Sequence, residues 1–223
     1  MPKKAVLEQF HRENISAVAD RLFSDNGIEK TTMDDIAREA EYSKATLYVY
    51  FKSKDEIFHY IVLKGMKLLH EQFKKALSDN ENTLDAYYAM CNTLAGYCDQ
   101  HPLYFQSILE TIASDIDSRE QSQILEEIYQ AGEILNHDVE MLMQRGIGQG
   151  VLREDLSYVP TGFVHWSALS GIISLANKKQ DYIRQRMGMS KTEFMRFGFE
   201  MMLQSIVKPN VPVKSEGSKK CSK

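Results

Sequence analysis

The residues whose types and spacing could do chemistry crowd between Thr32 and Lys54, and the chemistry they suit is recognition, not bond making. Lys44 can donate to guanine O6 or N7, and Ala45 or Thr46 can touch a thymine methyl. Thr32, Ser43, Tyr48, Tyr50 and Lys54 carry hydroxyl or ammonium donors that suit phosphate oxygens, contacts that set register without specifying sequence. Val49 stands among them as a further candidate for reading or positioning. From Tyr42 to Lys54 there are three lysines and no acid. The chain as a whole carries −4. Residues 1–75 hold 13 Lys+Arg against 12 Asp+Glu, whereas residues 76–207 hold 9 against 18. The acidic excess therefore lies away from the basic strip, and a phosphate feels only the field within a Debye length of roughly 8–10 Å.

No catalytic constellation accompanies this strip. There is no Gly-rich phosphate loop and no G-x-S-x-G. Cys91, Cys98 and His101 are the best metal candidates, but their sulfurs stand two helical turns apart, about 10 Å, too far to share one ion. No metal site, cofactor or enzymatic activity is expected. Three cysteines form no disulfide framework, which fits a reducing cytoplasm. No apolar run approaches the roughly 20 residues of a membrane helix, and the N-terminus does not read as a signal peptide.

The recognition residues need elements to hold them, and the local pattern supplies two short helices. Thr31 or Thr32 can cap the first, with Asp34 and Asp35 in its opening turn, where the helix dipole favours negative charge. Ile36, Ala37 and Ala40 form its apolar face. Ser43 can cap the second, which puts Leu47 and Phe51 on a buried side and Lys44, Thr46, Tyr48 and Tyr50 on the other. Two such helices joined by about three residues form a helix-turn-helix, whose second helix enters the DNA major groove. A preceding helix from about Glu8 to Asn26, closed by Gly27, supports them through Ile15, Val18, Ala19, Leu22 and Phe23. Residues 1–9 are expected to fray.

The run Thr32, Ile36, Ala37, Ala40, Ser43, Thr46, Tyr48, Tyr50, Phe51, Lys54, Ile57 and Phe58 resembles, in type and spacing, the DNA-binding domain of the tetracycline-repressor (TetR) family. The resemblance covers about Ile15 to Val62. This chain has Glu41 and Ala45 where the family often has Gly. The resemblance implies an all-α fold of about nine helices. Residues 1–53 would form the DNA-binding domain, residues 54–207 a helical regulatory and dimerisation domain, and residues 208–223 a disordered basic tail. It also implies a ligand-responsive regulator, most often a repressor, that leaves a palindromic operator when a small molecule binds. The alternative is a DNA-binding protein of the same fold controlled by a protein partner.

Downstream periodicity fills in that plan. A helix from Lys54 to about Leu77 starts at the DNA and ends in the next domain. Met66, Phe73, Tyr87, Met90, Cys91, Phe105, Leu109, Met143 and Trp166 are soft or aromatic residues on helices expected to converge around an effector pocket. The acidic charge of this region favours a neutral, apolar or cationic effector over an anionic one. The helices expected at Val159–Asn177 and Ser190–Val207 are apolar on more than one side, which points to burial on two sides. Ala168, Gly171, Ile172, Phe194, Gly198, Met201 and Met202 are the expected homodimer contacts. A dimer also suits a short recognition helix, because two-fold symmetry doubles the bases read.

Overall fold

The structure, a computed structural model, describes residues 2–111 and 122–213. Among these residues it is all-α, with ten helices and no strand. They are α1 (Pro2–Asn26), α2 (Met33–Glu39), α3 (Lys44–Tyr50), α4 (Lys54–Asp79), α5 (Thr83–Gln100), α6 (Pro102–Thr111), α7 (Gln123–Gly148), α8 (Tyr158–Lys178), α9 (Gln180–Met187) and α10 (Lys191–Gln204). Among the described residues the helix beyond expectation is α9, in a stretch, Lys178 to Gly188, that reads from sequence as a loop with room for a helical turn. Its single buried residue, Ile183, gives it almost no apolar period to detect.

The chain packs as two compact units: Met1–Lys67 with Leu103–Ala131, and Leu68–Pro102 with Gly132–Lys223. In the first unit, α1 buries Ile15, Ala19 and Phe23. It begins at Pro2, so residues 2–9, expected to fray, are helical. Gly27 ends it at φ +83, where its N–H reaches the Phe23 carbonyl. Only Gly adopts that conformation cheaply. Thr32, not Thr31, caps α2, in a capping box with Asp35. Thr31 is buried and donates to the Gly27 carbonyl. Ser43 caps α3 by accepting from the Thr46 N–H. Ile36, Leu47, Phe51 and Ile57 close the core beneath α2 and α3.

The turn between α2 and α3 places Glu41 at φ +61, in the left-handed region. A residue with a Cβ is strained there by roughly 1 kcal/mol or more. Glu41→Gly should therefore raise the stability of the chain by about 1 kcal/mol, read as a higher urea midpoint at unchanged slope. An unchanged midpoint would show that the turn stores no such strain.

In the second unit, α8 packs chiefly on α10 and on α5. Gly198 makes the α8–α10 approach possible, since a Cβ there would stand 2.8 Å from Ile172 Cδ1. By length and composition α8 is apolar enough to cross a bilayer, contrary to the expectation that no segment would be. Its inner face, with His165, Leu169, Ile173 and Ala176, is buried within the unit. Residues 208–213, expected to be disordered, pack instead. The Lys208 N–H donates to the Val151 carbonyl, and Tyr88 donates to the carbonyl of buried Val213. The rest of the expected tail, 214–223, lies outside the described residues.

Candidate nucleic-acid interface and effector cavity

The buried Leu47 and Phe51 anchor α3, so the opposite side of this two-turn helix must face outward. Lys44, Ala45, Tyr48 and Val49 occupy that side, and Val49 is 76% exposed. Lys44 pairs with Asp34 at 2.7 Å across the turn, and this pair holds its ammonium above the usual lysine range. Thr32, Ser43 and Thr46 use their hydroxyls locally: Thr32 Oγ1 donates to Asp35, and Ser43 Oγ and Thr46 Oγ1 lie 2.7 Å apart. Tyr50 is half-buried, its ring 4.9 Å from that of His11, whose Nδ1 lies 2.6 Å from the Tyr42 hydroxyl.

Lys54, expected at a phosphate, makes a contact within the chain. Its ammonium donates at 2.7 Å to the Ile28 carbonyl and ties α4 to the loop after α1. That carbonyl also accepts from the Thr31 N–H at 3.2 Å, so the half-buried ammonium is engaged within the chain. The residue that sequence reasoning missed is Arg12. It donates to the Tyr50 carbonyl at 2.8 Å, lies 4.2 Å from the Phe51 ring centroid and 4.8 Å from that of Tyr60, and stands 3.5 Å from Glu56. One guanidinium thus joins α1, the end of α3 and α4. The available signal was its spacing, three residues before the core-facing Ile15.

In the second unit, Phe73, Tyr87, Met90, Cys91, Met143 and Trp166 line one cavity of about 50 Å³. Leu94, Leu142, Leu152, His165 and Leu203, not singled out from sequence, share its wall. Met66 and Phe105 do not line it; both are buried in the core of the first unit. The side chain of Leu109 lies outside the described residues. No Asp, Glu, Lys or Arg lines the cavity. A cation placed there would be buried without a counter-charge. Burial pushes the Cys91 thiol up to about 12, which leaves no thiolate for covalent chemistry.

Of the expected dimer contacts, Gly171 and Met201 are exposed, while Ala168, Ile172, Phe194 and Met202 are half-buried. Gly198 is buried against Ile172 of its own chain, where it serves the α8–α10 packing. The outward sides of α8 and α10 nonetheless carry Phe163, Val164, Leu175, Phe197 and Met201, all exposed.

An all-α chain with a capped helix-turn-helix and an outward recognition helix defines a helix-turn-helix protein. Residues 15–61 match the family described as bacterial regulatory proteins, tetR family, and the chain is similar to that family over this stretch. An HTH-type transcriptional regulator of Staphylococcus aureus (strain MRSA252) is 26% identical over 98 residues, 44% of this chain and 53% of that protein. The chain thus spans about half the length of the first curated relative it matches. The solved TetR family transcriptional regulator PfmR from Thermus thermophilus superimposes with a TM-score of 0.62 at 25% identity, over 85% of this chain and 97% of that one. The fatty acid degradation regulator FadR from Bacillus halodurans shares the fold with a TM-score of 0.66 at 13% identity, over 86% and 94%.

Proposed function

We propose that this protein is a cytoplasmic, homodimeric transcription regulator that binds a palindromic operator through α3 and releases it when a small apolar effector enters the second unit. The observation that carries the DNA half is the outward face of α3: Lys44, Ala45, Tyr48 and Val49 exposed over a buried Leu47 and Phe51. Exposed apolar surface on α8 and α10 supports the dimer. The proposed DNA-binding domain is residues 1–53, with α4 as connector to a regulatory domain of residues 54–207. α4 contributes Ile57 to the core under α3 and Phe73 to the cavity wall. It offers a covalent route by which effector and operator could oppose each other, and such opposition must be reciprocal. The runner-up, control by a protein partner, is favoured by the size of the cavity. Small-molecule pockets run to roughly 300–1,000 Å³, so an effector must part the lining.

The test of the DNA half separates two lysines. After operator selection from random DNA, Lys44→Ala should cost roughly 1–3 kcal/mol at the preferred site and relax base preference there. Lys54→Ala should instead lower the melting temperature through the lost Ile28 contact, with specific and random DNA affected alike. Selection that enriches no sequence would remove the proposal.

A further inference from the structure

The wall of the cavity is apolar except for a few groups, and all but one of these are engaged within the protein. The Tyr87 hydroxyl donates to the Phe199 carbonyl at 3.0 Å. The Thr83 hydroxyl donates to Gln149 Oε1 at 2.7 Å. The two ring nitrogens of His165 lie 3.0 and 3.1 Å from the carbonyl oxygens of Thr161 and Met202. The exception is Trp166, whose Nε1 is buried and meets no acceptor. Arg145 and Ser170 also hold unpaired buried donors, but neither lines the cavity.

A buried donor left unpaired is costly, so a ligand atom that accepts from it is favoured beyond what its size predicts. A charged ligand is disfavoured by the same wall, which holds no carboxylate, ammonium or guanidinium to neutralise it. We propose that the effector is a neutral, mostly apolar molecule carrying one acceptor oxygen, of the ketone type, which takes the Trp166 indole N–H. This rests on the reading of the cavity as the effector site. Met90 and Met143, unbranched and adaptable, are the wall residues that move to admit a ring system larger than the present 50 Å³.

The test uses three probes with one skeleton: tetralin, 1-tetralone and 1-aminotetralin. Calorimetry on the full chain should show 1-tetralone binding about tenfold tighter than tetralin, the ratio that one added hydrogen bond gives. The ammonium form of 1-aminotetralin should not bind. Trp166→Phe keeps an aromatic ring and removes the donor, so it should abolish the preference and leave tetralin affinity nearly unchanged. Trp166 is the only tryptophan, so wild type gives one indole N–H resonance. That resonance should move downfield with 1-tetralone and not with tetralin. Equal affinity for tetralin and 1-tetralone, or a preference that survives Trp166→Phe, overturns the proposal while leaving the cavity an effector site. Failure of all three probes to bind overturns the effector-site reading and the proposal together.

Discussion

Phe197→Glu should give a folded chain that no longer dimerises and whose affinity for a palindromic operator falls by about a hundredfold or more, the range lost when two linked contacts become one. Phe197 is 54% exposed and Met201, one turn on, is 56% exposed. Val164 and Phe163 of α8 extend the same apolar character. Monomers rarely leave so much apolar surface open. In a two-fold interface each substitution is met twice, so two carboxylates would be desolvated in one contact. Gly198→Glu would be a poor version of this experiment. Its side chain would collide with Ile172 inside the chain and damage the α8–α10 packing before any second copy was involved. Phe197→Glu escapes that confusion because the exposed ring is not part of the core. Sedimentation should show monomers, the helical signal and melting temperature should stay near those of wild type, and the operator shift should fail. A variant that sediments as a dimer and shifts the palindrome at full affinity would remove α10 from the interface.

What the sequence disclosed depended on how far apart the interacting residues lie in the chain. The caps of α2 and α3 were legible because Thr32 with Asp35 and Ser43 with Thr46 act over three residues. The inward faces of α1 and α3 were legible because their apolar residues recur at helical spacing. Contacts across the fold were not. Lys54 and the Ile28 carbonyl are 26 residues apart, and nothing in a local pattern says that an ammonium in an opening turn is already engaged. Gly198 announced a close approach but not to whom, and only the three-dimensional packing shows that Ile172 of the same chain fills the space. Met66 and Phe105 have the same chemistry as Phe73 and Met90, yet they fill a core while the latter line a cavity. Composition cannot separate those outcomes. Glu41 is the intermediate case: its position in the turn was legible, and its left-handed backbone is the local cost of a residue other than Gly there.

Arg12→Ala should destabilise the first unit by about 2–4 kcal/mol and abolish operator binding, although Arg12 lies on α1 and not on the outward face of α3. Three contributions are lost together. The hydrogen bond from the guanidinium to the Tyr50 carbonyl satisfies a group in the last turn of α3, and bonds from charged donors are worth about 1.5–3 kcal/mol. Stacking against Phe51 and Tyr60 adds about 0.5–2 kcal/mol for a partly desolvated cation over aromatic faces. The pair with Glu56, at 3.5 Å and with both side chains partly exposed, adds little. These terms share one side chain, so the total is smaller than their sum. Arg12→Lys should fail to restore the loss, because a compact ammonium cannot lie flat against two rings and still reach the Tyr50 carbonyl. Urea denaturation of the two variants and an operator shift at one salt concentration make the test. A simple loss of charge predicts that lysine rescues and that added salt mimics the alanine variant. A positioning role predicts that lysine behaves like alanine and that salt does not reproduce the defect. If both variants melt with wild type and bind operator normally, the α3 carbonyl is held by water, and Arg12 is an ordinary surface residue of α1.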